Sequence, residues 1–538
     1  MFCKFRPVTL LCWAIYTAVA LGIAGGCSRE HYKADADEEV YKIIDSKWQD
    51  SFGSKANYII NDSNIPPSPN DIQIEEAVPP SGVLSLAQAV AIATANNRTY
   101  QSQKEALYVT ALNLTGVRHQ YARQWFGTID AEYSKDSSGE ETSIKSRLEV
   151  SQTQLLANGI QVGARLAIDW ARFLTGDPYT TLRSVLSGDV AVPLLGRGAG
   201  KDALEQLTLA ERDVLYQIRS FNRYRKMFVV SIVNDYYRVL QSRDQVTNAE
   251  NDYKRRLESK ERLEMEAEAG RKPPFEVDQA EQEVLRAENS LVAAQERYEQ
   301  QLDQFKIRLS LPTDAKIELD QNELEALGKV EITRPDYAPE AAVETALSRR
   351  LDLANSRDYV EDAKRNVVLA AEGLGVQLNL VGTTSVNSTP ETDFSRLQFH
   401  RGAYLLDLGA DLPLDRKDER NIYRRALITL EQQQRTHEND VDEVKLDVRN
   451  AYRTLREQAE SYRIQKTSLE LAKKRVESTT FLLQAGRVTT YDLLISQDAL
   501  LEAQNNVTAA LIAHAIAKLT FFQDIGILEV RPDGMWEQ

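Results

Sequence analysis

The chain has 538 residues, 27% of them charged, with a formal net charge of −15. An acidic excess spread along the chain argues against nucleic acid as a partner, because phosphate contacts need clustered Lys and Arg. Past the N-terminus no stretch of eighteen apolar residues occurs, so any bilayer crossing would need β-strands closed into a barrel.

In chain order, the first element is a targeting segment. Lys4 and Arg6 precede an apolar run from Val8 to Ala24, followed by Gly25-Gly26-Cys27. This is the layout of a secretory signal over residues 1–26. A cysteine directly after small residues resembles a bacterial lipobox, which implies that Cys27 is acylated, becomes the first mature residue and anchors the chain to lipid. Ser28 in the next position implies delivery to the outer membrane. Cys3 and Cys12 lie inside the signal, so the mature chain keeps one cysteine and can form no internal disulfide. Residues 27–83 read as an arm, with one short amphipathic helix expected over Asp35–Ser51. The runs Ile65-Pro66-Pro67-Ser68-Pro69 and Pro79-Pro80-Ser81-Gly82 mark an extended connection.

Strand candidates follow. Trp125–Tyr133 and Ile160–Trp170 alternate apolar and polar residues, as do Leu186–Leu194, Leu374–Gly382 and Tyr404–Leu414. Ten-residue segments with one apolar and one polar face suit the wall of a transmembrane barrel, although a soluble antiparallel sheet shares the pattern. Asn158-Gly159 is a hairpin signal joining Leu148–Leu156 to the Ile160 strand. Gly196-Arg197-Gly198-Ala199-Gly200-Lys201 resembles a phosphate loop only superficially. Its lysine is misplaced and Asp202 stands where a Ser or Thr would be needed, so the glycines read as a turn.

The helical segments are long. Val441, Val448, Leu455, Tyr462, Leu469, Val476 and Leu483 recur every seventh position. A strict seven-residue repeat describes a helix that supercoils against partners. No proline lies between Pro413 and Pro532, so a helix is expected from Lys417 to Gln484, roughly 100 Å at 1.5 Å per residue. Ile232, Val239, Val246 and Tyr253 repeat the pattern, and a shift of 216 carries them onto Val448, Leu455, Tyr462 and Leu469. The same shift carries Gly270-Arg271 onto Gly486-Arg487, and Phe275-Glu276 onto Tyr491-Asp492. Ala89-Val90 matches Ala342-Val343, and Val192-Pro193-Leu194 matches Leu412-Pro413-Leu414, at other shifts. Ordered anchors of this kind indicate a tandem duplication of roughly two hundred residues and a pseudo-symmetric assembly.

Leu84 through Ala93 with Asn96-Asn97, Ala342-Val343 through Arg349-Arg350-Leu351-Asp352-Leu353, and the turns at Gly270-Arg271 and Ala485 to Asp492 resemble the TolC-like outer-membrane factor (outer membrane efflux protein) family, over about residues 84–530. The resemblance implies a mainly α fold with a transmembrane β-barrel. A duplicated helix–strand–helical-hairpin unit would build a homotrimer with one barrel and one long periplasmic coiled-coil tunnel. It implies a passive export duct that docks onto a periplasmic adaptor protein and an inner-membrane transporter. The first repeat would span 84–330, with strands at about 125–194 and a hairpin at about 198–311. The second would span 331–530, with strands at about 374–414 and a hairpin at about 416–525, and a tail would follow at 531–538.

Repeat one holds four strand candidates and repeat two holds two, where the family pattern is two plus two. The hairpin at 147–170 is expected to extend beyond a twelve-stranded barrel; enlargement of the barrel is the alternative. Gly270 and Gly486 are expected to form the hairpin turns, and Gly270, Arg271, Gly486, Arg487 and Thr489 to meet the adaptor. The resemblance places Asp492 on the axis as a periplasmic gate, with Glu276 its counterpart in the first copy and Ile495 at the position of a second family aspartate. A plainer reading makes both acids helix-start residues favoured by the macrodipole. No nucleophile–base pair stands out, and His31, His119, His400, His437 and His514 lack metal-ligand spacing. Neither enzyme activity, nor a cofactor, nor a metal is therefore expected. The competing reading is a periplasmic coiled-coil lipoprotein acting as scaffold or spacer.

Overall fold

A computed structural model describes residues 28–49, 52–53, 55, 57–60, 82–135, 142–175, 179–196, 202–329, 338–389, 393–412, 414–531 and 535. The signal segment, Cys27, both proline-rich runs of the arm and Arg197–Lys201 lie outside these residues. In order the elements are α1 (Arg29–Lys47), β1 (Val83–Leu84), α2 (Leu86–Asn96), α3 (Arg98–Tyr121), β2 (Gln124–Lys135), β3 (Thr142–Leu155), β4 (Gln161–Phe173) and β5 (Thr180–Leu195). The long helices α4 (Glu205–Glu268) and α5 (Pro274–Arg308) follow, then β6 (Glu318–Leu319) and α6 (Asn322–Lys329). The second copy brings α7 (Pro339–Arg349), α8 (Leu351–Glu372), β7 (Gln377–Thr389), β8 (Asp393–Leu397), β9 (Ala403–Asp411), α9 (Lys417–Gln484) and α10 (Thr490–Asp524). Among the described residues no helix is long and apolar enough to cross a membrane.

The duplication is visible element by element. Each copy opens with an 11-residue helix, α2 or α7, followed one residue later by α3 or α8. Each closes with a helix of 64 or 68 residues that returns through a 35-residue arm. Chain contacts divide the molecule into two units, one of residues 1–48, 107–215 and 377–411, the other of 49–106, 216–376 and 412–538.

The first unit is built on a sheet. Its long strands run β2-β3-β4-β5-β7-β9, all antiparallel, and β8 adds a short pairing to β7. The Asn158-Gly159 signal makes the β3–β4 turn: Gly159 N donates to Leu156 O at 2.9 Å, and Gly159 takes a φ of +83° that glycine supplies at no steric cost. The hairpin at 147–170, expected to extend beyond a twelve-stranded barrel, is paired on both sides within the sheet. β3 pairs with β2 from Thr142 to Thr153, and β4 pairs with β5 from Gln161 to Arg172. Close packing of one residue pair keeps that register: a Cβ on Gly163 would meet the Asp189 carboxylate at 2.4 Å. The arm helix α1 starts earlier than the sequence suggests, at Arg29, because Ser28 caps it by accepting from His31 N. It buries Val40, Ile43 and Ile44, accepts from the Tyr108 hydroxyl on Asp37 at 2.6 Å, and pairs Lys47 with Glu211, which also holds Arg118 at 2.6 Å.

The second unit is helical, with β1 and β6 paired in parallel. Its core in the second copy joins Ala342, Ala346 and Leu353 to Val444, Val448, Leu455 and Phe521, from α7, α8, α9 and α10. The first copy answers with Tyr100 against Phe221 and Phe228, and Tyr236 against Phe305. The returning arms end alike. Gly526 N bonds Gln523 O and Ile527 N bonds Phe522 O, with φ +81° at Gly526. At Ser310, which the 216-residue shift carries onto Gly526, the same pair recurs: Ser310 N bonds Ile307 O and Leu311 N bonds Lys306 O, with φ +59° at Ser310. This is the left-handed helix ending that glycine fills without penalty, and a side chain there costs roughly 1–2 kcal/mol. Ser310→Gly is therefore expected to stabilise the protein by about 1 kcal/mol, read as a raised thermal midpoint of the solubilised chain. An unchanged or lowered midpoint would show that the buried serine side chain compensates the strain.

Candidate functional site: the paired helical tips

Both long hairpins reverse through five residues, 269–273 and 485–489. In the first, Gly270 N donates to Ala267 O at 2.9 Å and Arg271 N to Glu266 O at 2.8 Å. In the second, Gly486 N donates to Leu483 O and Arg487 N to Leu482 O, both at 2.9 Å. Gly270 and Gly486 hold φ of +69° and +65°, so each turn closes with a left-handed glycine that absorbs the last helical carbonyls. Gly270, Arg271, Gly486, Arg487 and Thr489 are all exposed.

The arms restart by different means. Pro274 sits at the first helical position of α5, where its missing N–H and fixed φ cost nothing. Thr489 caps α10: its hydroxyl accepts from Asp492 N at 3.3 Å, while the Asp492 carboxylate accepts from Thr489 N at 2.8 Å and from the Thr489 hydroxyl at 2.7 Å. This reciprocal box satisfies donors that a helix start leaves orphaned. It holds the exposed Asp492 carboxyl below the usual carboxylate range, through the Thr489 side chain first and its backbone N–H second. Glu276 is half-buried and joins the two tips. It accepts from Lys272 Nζ at 2.9 Å within its own hairpin and from the Thr490 hydroxyl of the other at 2.6 Å. Burial pushes its carboxyl up, but the bonds from Thr490 and Lys272 outweigh that and leave it below the ordinary value. Both acids therefore carry full charge at neutral pH, and both spend hydrogen-bonding capacity on holding the tip. Ile495, on the next turn of α10, is 37% exposed.

Sequence reasoning missed a second polar cluster on the same helices. Arg256 of α4 is buried and donates to Asp252 at 2.7 Å, to Glu283 of α5 at 2.9 Å and to Asp498 of α10. Further along, Asn248 bonds Asn505 at 3.0 Å and Asp244 accepts from Thr508 at 2.7 Å. A single guanidinium thus ties three helices, satisfying the buried Asp252 as burial of a charge requires. The Asp252–Arg256 spacing of four was visible in the sequence; the partners from α5 and α10 were not. Among the described residues no group of His, Cys, Asp and Glu is set to hold a metal.

Because the folded pKa of Asp492 is depressed, its share of tip stability is present above the unfolded value and is lost as pH falls through the folded one. Acidification below the ordinary carboxylate range is expected to speed amide exchange in the first turn of α10 before the α9–α10 core opens. Asp492→Asn should give that faster exchange at neutral pH and remove its pH dependence; an unaltered profile would show that the carboxylate is not what caps the helix.

Residues 342–525 match the family described as outer membrane efflux protein, a range that covers the second copy and leaves out the first copy with its two additional strands. No curated protein matches the chain. Among solved structures, the CmeC outer membrane channel of Campylobacter jejuni is similar at a TM-score of 0.60 and 12% identity, over 82% of this chain and 85% of its own. The MtrE outer membrane channel of Neisseria gonorrhoeae, in its open state, gives 0.59 and 13%, over 84% and 90%. VceC, an outer membrane protein of Vibrio cholerae, gives 0.58 and 14%, over 82% and 96%. The family match lies in residues 342–525, and the fold the chain shares with these three channels extends over more than four fifths of its length.

Proposed function

We propose that the protein is the outer-membrane export duct of a tripartite efflux or type I secretion system, passively conducting small molecules or proteins from a periplasmic adaptor and inner-membrane transporter to the exterior. The observation that carries this reading is a doubled helical hairpin in one chain with an antiparallel sheet whose one face is apolar and exposed. Trp125, Ile129, Tyr133, Leu406 and Leu408 stand on that face, each more than half exposed. A face of that kind needs lipid or a partner to cover it.

Among the described residues the sheet's outer strands β2 and β9 have unpaired edges, and an open edge in lipid leaves backbone groups unsatisfied at several kcal/mol each. The protomer therefore closes its barrel with copies of itself, and the family pattern makes the assembly a homotrimer. The heptad stripe supports the same assembly. Val448 and Leu455 are buried within the chain, whereas Tyr462, Leu469, Val476 and Leu483 are only half-buried and await a neighbouring helix. Residues 84–330 and 331–530 are the two efflux-protein repeats, 27–83 the arm and 531–538 the tail. Cys27 carries lipid and fixes the arm at the outer membrane, with most of the chain in the periplasm.

Asp492 and Glu276 form the periplasmic gate, and the exposed tip residues Gly270, Arg271, Gly486, Arg487 and Thr489 meet the adaptor. Three copies would bring six carboxylates to one aperture. Their depressed pKa values keep them charged, so the ring attracts cations, while the bonds from Thr489, Thr490 and Lys272 hold each carboxylate in place. Asp492→Ala combined with Glu276→Ala is expected to raise single-channel conductance and weaken block by multivalent cations. If conductance, selectivity and block all match the unmodified channel, the acids are helix caps and nothing more. Native mass spectrometry of the extracted protein is expected to give three protomers, each beginning at a triacylated or diacylated Cys27. A stable monomer in detergent contradicts the duct, and an unmodified first residue other than Cys27 contradicts the anchor.

A further inference from the structure

The two strands of the interior hairpin carry the same two faces as their neighbours, row by row. Across the register, Gly127 of β2 faces Val150 of β3, which faces Leu166 of β4, then Leu186 of β5 and Val386 of β7. The next row sets Ile129, Leu148 and Ile168 side by side. Val150 and Leu166 are 43% and 41% exposed, beside 53% at Ile129 and 40% at Val190 in the flanking strands. In these two rows the apolar band crosses β3 and β4 without a gap and continues onto Ile129 of β2 and Leu186 of β5.

The opposite face is continuous too. Asp130 faces Arg147, which faces Asp169, with Arg147 Nε 3.4 Å from the Asp169 carboxylate. Arg165 reaches Glu149 at 2.9 Å, and Arg183 donates to Asn387 at 2.6 Å, so this face is laced from β3 to β7. A hairpin standing in water beyond a membrane has no use for a lipid-width apolar band on one side only. Two strands that hold it in register with their neighbours cross the same slab.

We propose that all six long strands form the membrane wall, so that the trimer closes eighteen strands rather than twelve. This rests on the trimeric duct argued above. Topology allows it: β2 begins at the end of the sheet where β9 finishes, so these edges run oppositely and pair antiparallel between neighbouring protomers. Barrel diameter grows about linearly with strand number, so the outer mouth is about half again as wide as a twelve-stranded one. Eighteen strands fall in the range that leaves an aqueous channel. The hairpin also adds Lys145, Arg147, Glu149, Arg165 and Asp169 to the lumen side. The mouth therefore takes bulky, hydrated cargo past a lining of both charge signs.

The test is depth and side, read on the full-length acylated protein in vesicles containing brominated lipid. Single cysteines are introduced one at a time, Val150→Cys and Leu166→Cys in the hairpin, Ile129→Cys and Leu406→Cys in the flanking strands, and Ser151→Cys and Ser187→Cys on the charged face. Each is labelled with a fluorophore. Equal loss of emission at the first four positions and none at the two serine positions supports six wall strands. Quenching at Ile129 and Leu406 without quenching at Val150 and Leu166 overturns the eighteen-stranded wall and leaves the duct standing. No quenching at any position overturns both. Counting wall strands in a cryo-EM cross-section of the unmodified trimer is the check that no substitution can disturb, and twelve would overturn the proposal.

Discussion

A helix of 64 or 68 residues cannot cover its own apolar stripe, and the rest of this structure follows from that. The first cover is the chain itself: each long helix turns at a left-handed glycine and returns as a 35-residue arm. The second is the short helix pair that opens each copy, which sets Ala342, Ala346 and Leu353 against Val444, Val448 and Leu455. Small residues at these contacts let the backbones approach closely. The covering stops at about Ala459, beyond which Tyr462, Leu469 and Val476 stay half-buried with Ile464 and Leu471 exposed beside them. The apolar stripe thus continues past the helices of its own chain that cover it.

The tips show how charge is handled where two hairpins meet. Asp492 is held by hydrogen bonds within its own helix start, and Glu276 by Lys272 at 2.9 Å and by the Thr490 hydroxyl. A carboxylate that caps a helix is positioned by that duty. Arg256 works differently. Its guanidinium is enclosed by Asp252 and Glu283 and also bonds the more exposed Asp498, so it binds α4, α5 and α10 through charge-assisted hydrogen bonds in a poorly solvated place. Between them the bond from Glu276 to Thr490 and the Arg256 cluster join the two hairpins of one chain at two levels.

The sheet obeys a stricter rule than the helices. Side chains alternate with a period of two, so a slip of one residue in any strand would send charges to the apolar face and apolar groups to the charged one. The Gly163–Asp189 fit and the ion pairs from Arg147 and Arg165 hold the register against that slip. An insertion into such a sheet is tolerated only in pairs of strands, because an odd number would reverse the direction of everything after it. The additional hairpin is one such pair, and its short turn at 156–160 costs little.

Much of this was legible in the sequence, where a period or a special backbone angle leaves its mark. The heptad stripe marks α9 over Lys417–Gln484, the glycines at 270 and 486 mark the turns, and the 216-residue shift marks the duplication. Alternation marks the six long strands, and the resemblance to the TolC-like family follows from those parts in order. Tertiary structure decided what no local pattern encodes. Strand order is one such matter: alternation is identical for a hairpin inside a sheet and one beyond it, and only pairing on both sides places 142–173 in the interior. The partners of Arg256 are another, since residues 252, 283 and 498 meet only once two hairpins pack. The duty of Asp492 is the third. An acid three residues after a threonine is a capping signal anywhere, but that its neighbour Thr490 binds Glu276 of the other copy is a fact of three-dimensional packing, which brings together tips 214 residues apart.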